Sequence, residues 1–185
     1  MAPLHLWLPN AYAYAPSVVT ALLAATATKV AIYALIRIYY TIFGKVEILE
    51  ALMINNLLIM LAFLGIFGAS AVAIFQNNVK RMLAYSSIAQ IGYMVLGISL
   101  YSVTGLAGGI IHLFNHAMTK GALFLALGCM FYRFGSLTLN DLAGMGRRMP
   151  LTMAAFIIGG LSLIGLPLTA GFISKWLLVQ AVIED

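Results

Sequence analysis

Long apolar runs separated by short polar turns are the feature that most constrains the fold of this chain. Residues 51–75 contain no charged side chain, and further apolar runs occupy residues 16–40, 82–100 and 104–132. A helix needs about 20 apolar residues to cross a bilayer, because the hydrocarbon core is about 30 Å thick and each residue rises about 1.5 Å. The pattern therefore predicts an all-α protein that crosses a membrane several times.

Composition leaves no stretch from which a water-soluble domain can be built. Of the 185 residues, 63% are hydrophobic and 8% are charged, whereas soluble domains carry about 25% charged residues. The formal net charge is +5, but most of the basic residues lie in the turns and form no stripe, which argues against nucleic-acid binding. The single cysteine, Cys129, argues against a disulfide framework and a cysteine-based metal site.

We predict a polytopic membrane helix bundle of about five full spans, preceded by part of a helix. Residues 1–15 are too short and too rich in proline to cross the membrane, so we interpret them as the tail of a broken helix and a turn. The full spans are assigned to residues 16–40, 51–75, 82–100, 104–132 and 150–183.

The last of these spans is predicted to be broken at Gly165 and Pro167. Proline has no N–H and its ring clashes with the preceding turn, so it interrupts the helix. Lys175 follows about two turns later among apolar residues. A lysine inside the membrane costs about 2.5–3.5 kcal/mol, which favours a functional role, and broken helices are where transporters place ion sites. The alternative is a lysine that extends from a helix end to the interface.

Four more polar groups inside the predicted spans need an explanation. Lys29 is in the middle of the first span, too deep to reach the interface easily. His112, His116 and Lys120 follow at i, i+4 and i+8, so they share a helix sector of about 80° over about 12 Å. Histidine titrates near neutral pH, so such a file can pass protons.

Two alternatives to a proton relay remain for this file. The side chains can simply make hydrogen bonds between helices. The i, i+4 histidine pair also has the spacing of two metal ligands, but no acidic residue lies in a predicted span to complete a metal site. The spans therefore hold cations only, and any counter-charge has to come from elsewhere.

The loops predict the orientation, because basic residues are enriched in cytoplasmic loops. Two basic residues, Arg37 and Lys45, fall on one side of the predicted membrane. Five fall on the other side, and these are Lys80, Arg81, Arg133, Arg147 and Arg148. We therefore predict a cytoplasmic N-terminus and an external C-terminus.

Four segments of the chain carry a family resemblance. They are PLHLWLPNAYAYAPSVVTALLAATATKV, NVKRMLAYSSIAQIGYMVLGI, HLFNHAMTKGALFL and GLPLTAGFISKW. In this order they resemble successive signatures of the antiporter-like subunits of respiratory complex I. That family is related to the Mrp-type cation/proton antiporters and the membrane-bound hydrogenases. The phrases ATATKV and PLTAGFISKW are most similar to the D-type component of the Mrp antiporter.

The resemblance implies that this chain forms part of one proton-antiporter-type transmembrane domain. Such proteins contain two inverted five-helix repeats, each with a broken helix and a half-channel, joined by a central axis of lysines and histidines. By motif position, Lys29 is similar to the central lysine and Lys175 to the lysine at the outer half-channel. The helix relay would be His112, His116 and Lys120, and the helix breakers would be Pro3 and Pro167.

The resemblance also implies a glutamate and a lysine in the first repeat, at positions that would precede Met1. We therefore expect this sequence to be a fragment of a longer chain. The alternative is a half-transporter that borrows the missing pair from a second chain.

The function implied by the resemblance is proton translocation. It would occur in a redox-driven NADH:quinone oxidoreductase-type complex or in an Mrp-type Na⁺/H⁺ antiporter, in a prokaryotic plasma membrane. No catalysis of its own, no cofactor and no metal are expected, and the partners would be other membrane subunits. A cation/proton exchanger without electron transfer and a structural remnant that conducts nothing are the competing hypotheses.

Overall fold

The computed structural model describes residue 5, residues 7–43 and residues 53–184. Apart from one antiparallel bridge between Asn78 and Thr138, these residues form helices and turns. Four helical segments are long and apolar enough to cross a membrane, and a fifth apolar helix is shorter. The predicted all-α membrane bundle is confirmed, and the chain is an integral membrane protein.

The helices follow one another in an order that places the broken run last. In chain order they are α1 (Trp7–Tyr14), α2 (Ser17–Ala25), α3 (Ala27–Arg37), α4 (Ile54–Ile74), α5 (Val79–Ser99), α6 (Val103–Phe134), α7 (Met145–Arg148), α8 (Pro150–Ile164) and α9 (Ala170–Glu184). A π-helical turn, Ile38–Ile42, extends α3. Helix α6 packs against α2, α5, α8 and α9, so it is the central helix of the described bundle.

The first span is not the continuous helix that its apolar run suggests. It is interrupted at Thr26, between α2 and α3. The side chain of Lys29 donates a hydrogen bond back to the carbonyl of Ala24, and the Thr26 hydroxyl donates to the Leu22 carbonyl at 2.8 Å. Side chains that bond to backbone carbonyls in this way compete with the helical ladder and bend it.

Close backbone contacts between small residues hold the central helices together. A Cβ atom added to Gly97 on α5 would lie 2.6 Å from the carbonyl oxygen of Gly105 on α6. A Cβ on Gly92 would lie 2.9 Å from the carbonyl oxygen of Ala62 on α4. Glycine is required at both crossings because a Cβ atom would collide with the facing backbone. Such close packing is how membrane helices associate.

The last apolar run breaks where the sequence predicts, between α8 and α9. Gly165 has φ +89°, and the N–H of Leu166 bonds to the carbonyl of Leu161 at 3.2 Å. Together with the bond from the Gly165 N–H to the Ser162 carbonyl, this is a Schellman cap. Pro167 follows and cannot continue the helix. The predicted breakers Gly165 and Pro167 therefore lie at the observed break, whereas Pro3 is outside the described residues.

Several of the basic loop residues gather at one end of the bundle. Arg81 donates to the side chain of Asn10 at 2.7 Å, and Lys80 lies 5.1 Å from the ring centroid of Phe131. Arg148 lies 5.7 Å from the ring centroid of Phe134. This basic end is also where the Asn78–Thr138 bridge joins the α4–α5 turn to the loop after α6.

Candidate functional site

The site is built from basic side chains on three helices, α3, α6 and α9. Four of the five predicted members are buried, with exposed fractions of 5% for Lys29, 3% for His112, 1% for His116 and 0% for Lys120. The fifth, Lys175, is partly buried on α9. Lys29 comes from α3 and the two histidines and Lys120 come from α6. Buried polar side chains at this depth are stabilised by hydrogen-bond partners within the protein, because water is not available in the hydrocarbon core.

Lys175 reaches across the break to the end of the preceding helix. Its Nζ donates to the carbonyl oxygens of Leu163 at 2.8 Å and Ile164 at 3.0 Å, which belong to the last turn of α8. A cation at a helix C-terminus is stabilised by the unpaired carbonyls and by the helix dipole. The same Nζ lies 4.9 Å from the ring centroid of Tyr93 on α5. The lysine therefore connects both half-helices and the edge of the histidine file.

His112 lies between two polar side chains from neighbouring helices. Its Nε2 is 2.9 Å from Oε1 of Gln90 on α5, and its Nδ1 is 3.0 Å from Oγ of Ser174 on α9. The Tyr93 ring meets the imidazole edge to face, with centroids 6.0 Å apart. This histidine joins α5, α6 and α9 through its side chain.

His116 lies one turn further along α6 and stacks on His112. The ring centroids are 6.2 Å apart and the planes differ by 6°. No described residue makes a hydrogen bond to either ring nitrogen of His116, although both are buried. Its electrostatic interactions are with Lys29, Lys120 and His112. His116 therefore lies among the other members of the file.

Lys120 crosses from α6 to the first half of α5. Its Nζ donates to the Leu83 carbonyl at 2.7 Å and to the Ser86 hydroxyl at 2.5 Å. The Leu83 carbonyl is also the acceptor of the Ser87 hydroxyl at 3.0 Å. Two neutral oxygens thus receive this ammonium, and no carboxylate contacts it within the described part of the chain.

Lys29 approaches the file from the interruption between α2 and α3. Its ammonium bonds to the Ala24 carbonyl and interacts electrostatically with His112, His116 and Lys120. Helices α2 and α6 are close here, since a Cβ atom added to Gly121 on α6 would lie 3.5 Å from the Cβ of Ala25 on α2. The helix interruption therefore lies beside the lysine end of the α6 file.

Sequence reasoning missed the polar partners on α5 and α9. Ser86, Gln90 and Tyr93 occur at i, i+4 and i+7, so they share one face of α5, and this face meets the file. Ser174 immediately precedes Lys175. The helical spacing of three polar residues in an apolar span was the available signal.

Among the described residues, no group of three or more histidine, cysteine, aspartate or glutamate side chains could hold a metal ion. A cavity of about 570 Å³ is lined by α3, α4 and α5 next to Thr28, and its walls are mostly apolar.

An integral membrane bundle with buried lysines and histidines beside a broken helix has the kind of arrangement in which transporters place ion sites. The chain belongs to the family described as NADH:quinone oxidoreductase/Mrp antiporter, TM, whose sequence profile matches residues 1–185. The predicted family resemblance is confirmed.

Curated relatives include members of both branches of this family. NADH-quinone oxidoreductase subunit N of Desulforudis audaxviator is 44% identical over 98% of this chain. The D-type component of the Na⁺/H⁺ antiporter of Alkalihalophilus pseudofirmus is 35% identical over 97% of this chain. Each alignment covers 36% of the relative, so the chain spans about a third of the length of these proteins. The higher identity to the oxidoreductase relative does not favour the finer resemblance to the D-type antiporter component.

A solved structure shares the fold closely. The membrane-bound sulfane sulfur reductase, an archaeal respiratory membrane complex, matches with a TM-score of 0.90 and 32% identity, over 100% of this chain and 31% of that chain.

Proposed function

We propose that this chain contributes to proton translocation across a membrane as part of an antiporter-like subunit. The observation that supports this best is the α6 file of His112, His116 and Lys120, extended by Lys29 and Lys175; the five together are called the file from here on. Lys29, Lys120, His116, His112 and Lys175 form a series of buried or partly buried groups that can each bind a proton, and each interacts with at least one other member. The proton would enter near Lys29, pass along α6 and leave by Lys175.

Charge repulsion supplies the driving interaction in this proposal. The acceptors that contact the lysines are neutral carbonyl and hydroxyl oxygens. Because no carboxylate lies among them, a proton arriving at one member raises the electrostatic energy of a charge on the next. The proton moves along the file as that repulsion is relieved.

The proposed setting is a complex of several membrane subunits. Relatives are named as subunits of NADH-quinone oxidoreductase and of a Na⁺/H⁺ antiporter, and a similar fold occurs in an archaeal respiratory membrane complex. We propose that other membrane subunits of such a complex are the partners and that this chain performs no redox chemistry of its own. The basic end would face the cytoplasm of a prokaryotic cell, with the C-terminal end outside.

A second candidate is a cation/proton exchanger that works without electron transfer. The 35% identity to a component of a Na⁺/H⁺ antiporter supports it. Transport that requires Na⁺ or K⁺ on the opposite side and persists without an electron donor would favour the exchanger over the redox-driven pump.

The test replaces Lys175 in the full-length protein assembled in its native membrane complex. Lys175→Ala removes the charge and the hydrogen bonds, whereas Lys175→Gln keeps a donor for the Leu163 and Ile164 carbonyls but cannot carry a proton. Both variants are expected to lower the proton transport of inverted membrane vesicles by at least about tenfold, as expected for loss of an acid–base group. Transport at the unmodified rate in both variants would refute the role of Lys175 in the proton path and favour a structural remnant.

A further inference from the structure

His112 has an oxygen atom at each of its ring nitrogens. Gln90 Oε1 faces Nε2 at 2.9 Å and Ser174 Oγ faces Nδ1 at 3.0 Å. Ser174 Oγ is also 3.0 Å from the carbonyl oxygen of Gly171, one turn earlier on α9. All of these side chains are buried, with 8% of Gln90, 3% of His112 and 0% of Ser174 exposed. The ring is therefore fixed by groups on two other helices.

The number of protons available decides which charge state fits these three contacts. An amide oxygen and a backbone carbonyl accept hydrogen bonds, and a serine hydroxyl has one proton to donate. With the amide oxygen of Gln90 facing Nε2, the three contacts need three protons, one each on Nε2, Nδ1 and the Ser174 hydroxyl. A neutral imidazole supplies one proton and Ser174 supplies another, so one contact is lost. The doubly protonated imidazolium satisfies all three.

We propose that Gln90 and Ser174 are positioning residues that favour the charged form of His112, and that the Ser174 hydroxyl turns from the Gly171 carbonyl to Nδ1 when that ring loses a proton. The inference rests on the proposed proton path and names the groups that control one of its members. Gln90 keeps the remaining proton on Nε2, and Ser174 responds to the presence or absence of the proton on Nδ1.

Charged and titratable groups face His112 from every helix that packs on it. Lys175 on α9 and Lys29 on α3 interact with it electrostatically, His116 stacks on it from α6, and the Tyr93 ring of α5 meets its edge. None of these groups is a carboxylate, and a positive charge on either lysine opposes one on the ring. Neutral oxygens are thus the acceptors available to the ring, and two of the three acceptors in the network belong to Gln90 and Ser174.

The network also reaches the break in the last apolar run. The carbonyl that Ser174 contacts belongs to Gly171, whose backbone packs directly against the Ser162 carbonyl of α8. Loss of the proton from His112 would free the Gly171 carbonyl at this contact. The charge on the histidine is therefore linked to hydrogen bonding at the start of α9.

The test measures the protonation of His112 directly. Nitrogen-15 solid-state spectra of histidine-labelled full-length protein in its membrane complex distinguish the imidazolium from either neutral tautomer, and a His112→Asn variant identifies the His112 signals. Ser174→Ala is expected to move the midpoint of imidazolium formation about one unit toward lower pH, an about tenfold loss of the charged form above the midpoint.

A matched control is Ser99→Ala on α5. Ser99 is as buried as Ser174, at 2% exposed, and its hydroxyl likewise bonds to the carbonyl three residues earlier, Leu96, at 2.8 Å. Because no contact joins Ser99 to His112 among the described residues, this variant is expected to leave the His112 midpoint unchanged. An equal shift in both variants would overturn the proposal.

Two replacements of Gln90 are expected to move the midpoint of His112 protonation in opposite directions. Gln90→Met removes the acceptor at nearly constant volume and is expected to lower the imidazolium fraction. Gln90→Glu introduces an anion at Nε2 and is expected to raise it. A purely structural role predicts no such opposition, so midpoints that stay within about 0.3 units of the unmodified protein in both variants would overturn the proposal.

Transport measured on the same samples separates this inference from the proposed function. Shifted midpoints with unchanged proton transport would support the positioning role and overturn the path through His112. Impaired transport with an unshifted midpoint would support the path and overturn the positioning role of Gln90 and Ser174.

Discussion

The ammonium nitrogen of Lys175 lies 2.8 Å from the carbonyl oxygen of Leu163, across the break between α8 and α9. The side chain thus replaces, at the end of one half-helix, the backbone donors that the break removes. A residue proposed to carry a proton is at the same time the cap of the helix before it, so its two roles have to be separated by experiment.

We expect Lys175→Ala to loosen the end of α8, and Lys175→Gln to restore it. The Gly165 and Leu166 amides bond to the Leu161 and Ser162 carbonyls in the cap that Lys175 supports. Losing one charge-assisted hydrogen bond costs about 1.5–3 kcal/mol, which would speed local opening by about tenfold or more. Hydrogen exchange of these two amides measures the effect. Equal exchange in the alanine variant and the unmodified protein would contradict it.

His116 and His112 are expected to differ in what their loss does to stability. His116→Phe removes no hydrogen bond to a described residue and keeps a planar ring in the same stack. His112→Phe leaves the Gln90 amide oxygen without its partner at the ring and removes one of the two contacts of Ser174, at a cost of about 1–3 kcal/mol. The midpoint temperature of thermal unfolding in lipid nanodiscs should therefore fall only for His112→Phe, while the rate of proton transport falls for both variants. A larger loss of stability for His116→Phe would refute this distinction.

The glycine crossing between α5 and α6 gives a packing prediction with its own control. Gly97→Ala places a Cβ atom 2.6 Å from the Gly105 carbonyl oxygen, so the helices must separate, at a cost of about 1–3 kcal/mol. Gly68 on α4 has nothing within 4 Å of an added Cβ, so Gly68→Ala is expected to be neutral or to stabilise by about 0.5–1 kcal/mol. The free energy of unfolding of the two variants checks the contrast, and equal values would show that the crossing is not tight.

The loop at the basic end has a predictable response to acid. Asp141 accepts hydrogen bonds from the Thr138 hydroxyl at 2.6 Å, the Thr138 N–H at 2.9 Å and the Ser136 hydroxyl at 2.8 Å. The side-chain bond from Thr138, followed by the bonds from Ser136 and the Thr138 backbone, holds the pKa of this carboxyl below its ordinary value of 3.8. Because the folded loop binds the proton more weakly, the carboxylate stabilises the loop fully above that value and loses the effect as pH falls through the lowered pKa.

A fluorescent label at Asn140, attached through Asn140→Cys in a Cys129→Ser background, tests this response. Its anisotropy is expected to hold steady from neutral pH to about pH 4 and to fall below it, since the ordinary aspartate pKa lies near that value. In Asp141→Asn the anisotropy should already be low at neutral pH and should not change with acid. A titration near neutral pH in the unmodified loop would contradict the assignment.

The sequence was sufficient for the features that depend on local patterns. Apolar runs of membrane length predict the long helices, and Gly165 with Pro167 predicts the break, because glycine readily caps a helix in the left-handed conformation and a proline just beyond the cap cannot continue it. The i, i+4, i+8 spacing places His112, His116 and Lys120 on one face of α6, and the structure has them on one helix with the two rings stacked.

Features that depend on contacts between distant segments were not predicted. The interruption at Thr26 was missed for a local reason, since the Lys29 side chain bonds to the backbone carbonyl of Ala24, five residues earlier. The contact of His112 with Gln90 and Ser174 brings together three helices whose relative rotation no local pattern specifies. Whether the file carries protons stays a prediction.

The glycine contact at Gly97 and Gly105 limits which parts of the proposed proton path can move. Helices that touch backbone to backbone cannot approach further, and separating them would expose polar groups to lipid. Gln90 lies on α5 and His112 lies on α6, so the distance between these two residues is limited by the backbone contact of the two helices at Gly97 and Gly105. In the proposed proton path, the groups left to move would be the hydroxyls, the lysine side chains and the two half-helices that meet at Gly165.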